Sequence, residues 1–561
     1  MDACLLFRRA AAAASSTLAG AVLLAGCAVE PPRPSGPVEV KVLAINDFHG
    51  NLKPSAGIRI KDPADPSKTV VVPAGGSEHL STLVTQLRAK NPNHIFVAAG
   101  DLVGATPLLS ALFRDEPTIE SLGLMGLALS AVGNHEFDHG AAELLRLQRG
   151  GCAAEGGCRG PQPFRGAAFQ YLAASTVDAT TGRTLLPAYA VRHYDGIPVA
   201  FVGLTLKDTP NIVVPSGVAG LRFRDEAETV NTLVPRLRAQ GIEAIVLLIH
   251  EGGYPAGGPN ECPAISGPIV RIVEKLDPAV DLVISGHTHR AYVCRIAGRT
   301  VTSAESFGRM LSAIDLTLDR ATRDIVAVRA ENHVVAPTFA KDPRQTALIE
   351  AYERLAAPLA QRVVARIAGP LARDAAPSGE SPLGRLIADA QLAATREAGA
   401  QVALMNPGGI RQPLAPAADG SVRYEQLFAV QPFRNALVTM TLSGAQLVQL
   451  LEQQWLGQPF ARVLQVSRGF GYAWDATQPP GRRVVPGSLR LHGRPVAPEE
   501  SLRVTVNSYL AEGGDRFAVL AEGRDRRTGA MDLDALEAWL QALQADPALA
   551  DDRAPRILRR D

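Results

Sequence analysis

Apolar and polar positions alternate along most of the chain in blocks that predict strands separated by helices. The apolar runs VKVLAIN, HIFVAAG, LALSAVG, PVAFVGLTL, EAIVLLI and DLVISG, all before residue 290, are typical of buried strands. Between them, EHLSTLVTQLRAK and ETVNTLVPRLRAQ repeat apolar residues every three or four positions, as amphipathic helices do. This alternation predicts an α/β domain built in layers.

A second α/β region follows a helical connector predicted from Pro343 to Ile367. It contains the segments SPLGRLIADAQLAAT, ALMNPGGIRQPL, VQPFRNALV and VTVNSYLAEGGDRF. Because 561 residues exceed what one hydrophobic core usually accommodates, the length suggests two or three domains. The pattern along the chain favours two domains joined by a helix.

The first residues, LFRRAAAAASSTLAGAVLLAGC, have the basic start and small apolar stretch of a secretory signal. The ending Leu-Ala-Gly-Cys resembles the lipobox of bacterial lipoproteins, which predicts a signal peptide at 1–26, acylation of Cys27 and a Pro-rich tether at 27–37. A plain signal peptide with an accidental Cys27 is the alternative. Ala28 favours the outer membrane by the same resemblance. We therefore expect an exported, periplasmic protein held at the outer membrane through a lipid on Cys27.

Four further cysteines, at 152, 158, 262 and 294, fit an oxidising compartment. Their number predicts two disulfides, most simply Cys152 with Cys158 and Cys262 with Cys294. A four-cysteine zinc site is the alternative, but neither pair has C-x-x-C spacing.

The charge of the chain is almost balanced. The formal net charge is +1, and no block of Lys and Arg is present that would bind a polyanion. Nucleic acid is therefore not an expected partner.

Polar residues with metal-binding side chains follow several of the predicted strands. Ligands collect at the carboxyl ends of strands in α/β sheets, and these strands end in NDFHGN, GDLVG, GNHEFDHG, HEGG and GHTHR. The candidate ligands are Asp47, His49, Asp101, Asn134, His250, His287 and His289. Oxygen and nitrogen donors suit zinc, manganese or iron. Seven ligands are too many for one catalytic ion, so two divalent ions sharing a carboxylate are predicted, in a metal-assisted attack of hydroxide on phosphorus.

The motifs DFHGN, GDLVG, GNHEFD, HEGG and GHTH resemble, in order, the five motifs of the calcineurin-like metallophosphoesterases. The second half resembles the C-terminal domain of 5'-nucleotidases, and the whole is similar to the periplasmic 5'-nucleotidase and UDP-sugar hydrolase family. The resemblance implies a four-layer α/β/β/α metallophosphoesterase domain at 38–335, a helical linker at 336–367 and an α/β substrate-binding domain at 368–545.

The resemblance also implies roles for the candidate residues. Asp47, His49 and His289 would hold one ion; Asn134, His250 and His287 would hold the other. Asp101 would bridge the ions, whose identity, of the Zn, Mn, Co or Fe type, does not transfer because some relatives have Gln in place of His289. His135 would assist the leaving group and Asp138 would orient His135. Glu136 and His139 have no role in this scheme and are expected in the surrounding shell or at the surface.

In the second domain the resemblance implies a nucleotide pocket. Arg385 and Arg411 match positions that contact phosphates or acidic groups, for which guanidinium groups are suited. Phe433 and Tyr509 match two rings that sandwich the base, with Asn435 and Asp515 as polar contacts. Arg434 and Arg516 replace glycines, and we expect these two additional charges to favour polyphosphate or acidic-sugar substrates.

The resemblance implies an exported hydrolase that removes the 5'-phosphate of nucleotides by attack of a metal-bound hydroxide. A UDP-sugar hydrolase or a 2',3'-cyclic-nucleotide phosphodiesterase with 3'-nucleotidase activity uses the same chemistry, and a thiosulfate-ester hydrolase is a more remote alternative. A lipoprotein that binds nucleotides without turnover is the alternative outside enzymes, but the ligand set and His135 are intact.

Overall fold

The computed structural model describes residues 36–54, 57–62, 65, 68–153, 156–545 and 554–561. The predicted signal peptide, Cys27 and all of the tether but its last two residues lie outside these ranges. Residues from Pro37 onward form one compact unit.

The first half contains two six-stranded sheets, in the orders β16-β15-β1-β4-β5-β6 and β13-β14-β12-β11-β9-β8. The strands are β1 (Val38–Ile45), β2 (Ile58–Lys61), β3 (Thr69–Val72), β4 (His94–Ala98), β5 (Leu129–Ala131), β6 (Gln170–Leu172), β7 (Thr176–Asp178), β8 (Tyr189–Tyr194), β9 (Ile197–Thr205), β10 (Leu221–Phe223), β11 (Ala244–His250), β12 (Leu282–Ser285), β13 (Ala291–Ile296), β14 (Arg299–Ala304), β15 (Met310–Leu318) and β16 (Ile325–Val334). β1, β4, β5 and β6 run parallel in the first sheet, as do β9, β11, β12 and β14 in the second.

The helices cover the outer faces of these two sheets and pack around the second half. They are α1 (Ser77–Arg88), α2 (Leu108–Ala111), α3 (Glu116–Leu124), α4 (Ala141–Arg149), α5 (Glu226–Arg238), α6 (Pro268–Lys275), α7 (Pro343–Ala360), α8 (Pro382–Ala394), α9 (Tyr424–Val430), α10 (Gly444–Glu452), α11 (Ser508–Ala511) and α12 (Asp532–Ala545). None of them, within the described ranges, is long and apolar enough to cross a bilayer.

The predicted four layers are present. Side chains such as Val42 and Val97 from the first sheet meet Phe201 and Val246 from the second in one hydrophobic core. Helices α1, α3 and α4 cover the outer face of the first sheet, and α5 and α6 cover that of the second. Strands β9 and β11 are buried along their whole length, which explains their unbroken apolar sequence.

The connector differs from the expected helix. Helix α7 ends at Ala360, whereas the sequence pattern predicted helix to Ile367. Residues Val363–Arg366 form a strand instead, which pairs antiparallel with Ser421–Arg423. The β-branched pair Val363 and Val364 favours this extended conformation, and the tertiary pairing outweighs the helical period.

The second half is built on a five-stranded sheet of order β21-β18-β25-β20-β26 and a four-stranded sheet of order β24-β23-β22-β27. Its strands are β17 (Val363–Arg366), β18 (Val402–Met405), β19 (Ser421–Arg423), β20 (Ala436–Ser443), β21 (Gln465–Val466), β22 (Phe470–Asp475), β23 (Arg490–Leu491), β24 (Arg494–Pro495), β25 (Ser501–Asn507), β26 (Arg524–Met531) and β27 (Ile557–Arg560). Helices α8 and α12 share one hydrophobic core, and α10 shares another with the smaller sheet. Strand β27 pairs with β22 although it lies beyond residue 545, where the sequence analysis ended this domain.

Both disulfides have the predicted pairing. Cys152 is bonded to Cys158, and Cys262 is bonded to Cys294. The second bond ties the loop after β11 to strand β13, so a loop beside the candidate site is covalently fixed to the sheet.

Candidate active site

The predicted ligands come together because they follow parallel strands. Asp47 and His49 follow β1, Asp101 follows β4, and Asn134 follows β5 in the first sheet. His250 ends β11 in the second sheet, and His287 and His289 follow β12. The carboxyl ends of these strands meet at one edge of the sandwich, which is where ligands bind in α/β folds.

The backbone at five of these positions is in the left-handed region, with φ between 45° and 69°. The five are Asp47, His49, Asp101, His287 and His289. Residues with a Cβ adopt this conformation only at a cost, and its clustering in five ligand positions is typical of a functional site.

The glycine before Asn134 is required by space. A Cβ on Gly133 would lie 2.1 Å from Oδ1 of Asp101, so no larger residue fits between the two loops. The glycine of the GN motif therefore allows Asp101 and Asn134 to approach each other.

One group of ligand atoms is formed by Asp47, His49 and His289. Nε2 of His289 is 3.1 Å from Oδ1 of Asp47 and 3.2 Å from Nε2 of His49. The backbone N–H of His287 donates to both carboxylate oxygens of Asp47, at 2.9 and 3.1 Å, and fixes its orientation.

A second group is formed by Asp101, His250 and His287. Nε2 of His250 is 3.0 Å from Oδ2 of Asp101, and Nδ1 of His287 is 3.1 Å from Oδ1 of Asn134. The same Oδ2 of Asp101 lies 3.7 Å from Nε2 of His49. Asp101 therefore stands between the two groups, as a bridging ligand must.

The chemistry of these groups fits divalent cations. Nδ1 of His49 and Nδ1 of His250 lie 2.8 and 2.7 Å from the backbone carbonyls of Gly104 and Ala99, so both Nδ1 atoms carry the proton. In the neutral ring each Nε2 lone pair then faces the carboxylate of Asp101, at 3.7 Å for His49 and 3.0 Å for His250. Burial alone would lower the pKa of His250, but the carboxylates of Asp101, Asp47 and Glu136 together raise that pKa to about 10. The site thus attracts positive charge. A hydrogen bond to a backbone carbonyl from the ring nitrogen that does not bind the metal is typical of metal-binding histidines.

His135 stands at the edge of both groups. Its Nδ1 is 2.8 Å from Oδ2 of Asp138, and its backbone N–H donates to Oδ1 of Asp101 at 2.9 Å. Its ring centre lies 5.0 Å from that of His49. Burial opposes a charge on His135, but Asp138 and Asp101 together raise the pKa of its imidazole. His135 also forms a possible ligand group with His49 and Asp101.

Glu136, to which the sequence analysis gave no role, is buried and joins two loops. Its carboxylate accepts the backbone N–H groups of Asp101, Leu102 and Gly133 at 3.0, 2.8 and 2.6 Å. The next histidine, His139, is exposed and touches Arg114. No local sequence signal separates Glu136 from a surface glutamate, because its three partners belong to the backbone.

Phe433 and Arg411, from the second half of the chain, lie at the edge where the candidate metal ligands meet, called here the metal-binding edge. The ring of Phe433 stacks on His135, with centroids 5.9 Å apart and planes inclined by 15°. The guanidinium of Arg411 lies 5.8 Å from the Phe433 centroid. Burial and the neighbouring Arg373 lower the pKa of Arg411, whereas Asp101 and other carboxylates act in the opposite direction. Arg373, which the sequence analysis did not single out, donates to the backbone oxygen of Arg411 at 2.5 Å.

The remaining predicted pocket residues are held by protein groups. The hydroxyl of Tyr509 donates to Oδ1 of Asp515 at 3.0 Å, and Oδ1 of Asn435 accepts from Ser508 at 3.2 Å. Nε of Arg385 lies 3.8 Å from Oε1 of Glu380.

Arg434 and Arg516, which stand where the resemblance leads us to expect glycine, have different surroundings. Arg516 forms an ion pair with Asp208 of the first half at 2.7 Å, and Arg434 is exposed. Arg516 therefore has a carboxylate partner within the protein, and the expected preference for polyphosphate or acidic-sugar substrates stays a prediction. The partner, Asp208, is 308 residues away in the chain and could not be identified from sequence.

Phe307, which the sequence analysis missed, packs beside two of the candidate ligands. Its ring centre lies 5.8 Å from that of His49 and 5.3 Å from that of His289. The guanidinium of Arg309 packs behind it, 4.9 Å from the ring centre.

Comparisons with known proteins give two family matches. Residues 40–291 match the calcineurin-like phosphoesterase family, and residues 363–522 match the 5'-nucleotidase C-terminal domain. Endonuclease YhcR of Bacillus subtilis (strain 168) is 30% identical over 93% of this chain and 41% of its own length. Cell wall protein Lmo0130 of Listeria monocytogenes is 32% identical over 86% of this chain and 64% of its own length. The chain thus spans less than two thirds of either relative.

Solved structures agree with these matches. The crystal structure of a 5'-nucleotidase precursor from Thermus thermophilus superposes with a TM-score of 0.73 at 27% identity. The similarity covers 90% of this chain and 97% of that one, so it includes both halves and the connector.

Proposed function

The chain belongs to the calcineurin-like phosphoesterases that carry a 5'-nucleotidase C-terminal domain, and on this premise we propose that it is an exported nucleotide 5'-phosphohydrolase with a two-metal site. Its family makes it a metal-dependent phosphoesterase. The observation that carries the proposal is the position of Asp101, whose Oδ2 lies 3.0 Å from His250 and 3.7 Å from His49. One carboxylate between two groups of ligands is the arrangement that a two-metal hydrolase requires.

In this proposal each of the two ligand groups would hold one divalent ion. Asp47, His49 and His289 would hold the first ion, Asn134, His250 and His287 would hold the second, and Asp101 would be shared by both. When bound, such ions would polarise a phosphoryl oxygen and lower the pKa of a coordinated water to near neutrality.

The protein's own groups complete the reaction. His135 donates a proton to the leaving alkoxide, for which its raised pKa is suitable at neutral pH. Asp138 accepts from Nδ1 of His135 and so keeps Nε2 directed at the substrate. Arg411, with Arg385, neutralises phosphate oxygens as they approach the buried edge.

Recognition of the nucleotide is assigned to the second half. Phe433 and Tyr509 stack on the base, and Asn435 and Asp515 are the polar groups nearest to it in this scheme. We accordingly assign catalysis to a domain at 38–335 and base recognition to a domain that begins with β17 and includes β27, the two being joined by helix α7.

Export is supported by the predicted signal at 1–26 and by the two disulfides, which persist in oxidising compartments. We propose a periplasmic location with a lipid on Cys27. A Cys27→Ser variant should leave the membrane fraction, since a single acyl-bearing cysteine is the only anchor proposed. Unchanged fractionation would contradict the lipid anchor and leave the enzymatic proposal intact.

The substrate is tested with the metal-stripped protein. After chelation, Mn, Zn, Co or Ca is added back separately, and phosphate release is measured from AMP, UDP-glucose and 2',3'-cyclic AMP. The proposal expects AMP to have the highest kcat/KM, and chelation to abolish the activity. A clear preference for UDP-glucose or the cyclic nucleotide would replace the proposed substrate, and binding of AMP without turnover under every metal would make the chain a binding protein.

A further inference from the structure

Arg462, in the segment between α10 and β21, contacts Asp515, one of the residues proposed to line the nucleotide pocket. Its Nη1 is hydrogen-bonded to Oδ1 of Asp515, the same oxygen that accepts from the hydroxyl of Tyr509 at 3.0 Å. Asn406 donates to the other carboxylate oxygen of Asp515 at 2.7 Å. Both oxygens of Asp515 are therefore engaged by protein groups.

The phenol of Tyr509 is fixed by this carboxylate and by the turn that carries it. The backbone N–H of Asp515 donates to the Tyr509 hydroxyl at 2.8 Å, so the hydroxyl both donates and accepts. A Cβ on Gly514 would lie 2.6 Å from the Tyr509 ring, and Asp515 has φ of 56°. The turn at Gly514 and Asp515 therefore packs closely against the Tyr509 ring. The side chain of Gln458 also contacts this turn, donating to the Asp515 carbonyl at 2.8 Å.

Among the residues that the structure describes, Arg462 is the only charged partner of this carboxylate. Asp515 is 5% exposed, and the side chain of Arg462 is 16% exposed over the ring of Phe460. Removing one partner of a buried ion pair leaves an uncompensated charge and is strongly destabilising locally. Without Arg462, the Asp515 carboxylate would turn towards water and release the Tyr509 hydroxyl.

We propose that Arg462 is a positioning residue for nucleotide recognition: by holding Asp515, it fixes the ring of Tyr509 for stacking on the base. The inference rests on the proposed function, in which Tyr509 is one of the two stacking rings. The other ring, Phe433, is held separately by His135 and Arg411. Loss of Arg462 should therefore weaken one side of the base pocket and leave the metal-binding edge unchanged.

The test compares AMP with a small aryl phosphate that has no base. In Arg462→Met we expect KM for AMP to rise about tenfold, the order of one stacking contact, while kcat stays within about threefold. Kinetics with the aryl phosphate should be unchanged. Arg462→Lys keeps the positive charge but lacks the planar guanidinium group with its several N–H donors, so it should give an intermediate KM for AMP. Arg482→Met, an exposed arginine of the same domain, is the matched control and should behave as wild type.

Coupling to Tyr509 separates this role from a general structural one. In a Tyr509→Phe background the hydroxyl link is already absent, so Arg462→Met can act only through the direct contact of Asp515 with the nucleotide and should raise KM for AMP by less than about threefold further. Equal loss of kcat/KM for AMP and aryl phosphate, or an unchanged KM for AMP, would overturn the inference. If Arg462→Met does not fold, an unchanged KM in Arg462→Lys overturns it equally. Failure of the wild type to hydrolyse AMP with any metal would instead refute the proposed function.

Discussion

His135 and Asn134 are neighbours in sequence, yet their side chains have different surroundings. The side chain of Asn134 contacts His287, whereas that of His135 is oriented by Asp138 and covered by Phe433. His135→Ala should therefore retain both ions and lose roughly two or more orders of magnitude in kcat, the usual effect of removing a positioned proton donor. Asn134→Ala should weaken one ion. Elemental analysis of both variants is the measurement, and equal metal loss would show that His135 is a ligand.

The sequence singles out the candidate ligands, which the structure brings together, but not the groups that position them. Asp47, Asp101 and His250 could be singled out because they lie at or just after the ends of apolar strands, and strand ends meet at one edge of a layered fold. Glu136, Phe307 and Arg373 could not be identified in this way. Their partners are backbone groups or residues distant in sequence, and neither leaves a local pattern.

At the scale of elements, Glu136 ties the loop after β4 to the loop after β5. Glu136→Ala would leave three backbone N–H groups without an acceptor, each costing about 1–3 kcal/mol if it stays buried. We expect a lower melting temperature and weaker metal binding, because Asp101 and Asn134 lie on these two loops. His139→Ala, at an exposed position of the same loop, is the control. Normal metal content and stability in Glu136→Ala would show that other contacts hold the loops together.

Element boundaries were predicted less well than element types. The apolar runs before residue 290 correspond to strands β1, β4, β5, β9, β11 and β12. The connector helix ends early because Val363–Arg366 pairs with a strand more than 50 residues later. Strand β27 is short and ends in two exposed arginines, so only its pairing with β22 reveals it.

At the scale of the whole molecule, residues of the two halves meet at the metal-binding edge. Phe433 stacks on His135, Arg516 pairs with Asp208, and Phe460 contacts Tyr254 across this boundary. The ion pair is 39% and 32% exposed, and such pairs contribute little, about 0–1 kcal/mol. The stacking rings should therefore affect nucleotide hydrolysis more than this ion pair does.

Replacing both Phe433 and Tyr509 by Ala tests the division of labour between the halves. Each ring is expected to contribute about 1–3 kcal/mol by stacking on the base, so kcat/KM for AMP should fall ten- to a hundredfold per ring if the full effect appears in affinity. Hydrolysis of an aryl phosphate should change far less. A fall by the same factor for both substrates, or no change for AMP, would mean that the second half does not read the nucleotide.

The central claim is that Asp101 joins two metal sites, and its direct test is metal content measured together with AMP hydrolysis on the same preparations. Wild type should bind two divalent ions per chain. Asp101→Asn should lose at least one ion and more than about a hundredfold in kcat/KM, since outer-shell changes alone cost 10–100-fold. Asp138→Asn, which removes the carboxylate that orients His135 and raises its pKa but leaves every proposed ligand in place, should keep both ions. Two ions and near-normal turnover in Asp101→Asn, or full activity of the wild type with a single ion, would contradict the account.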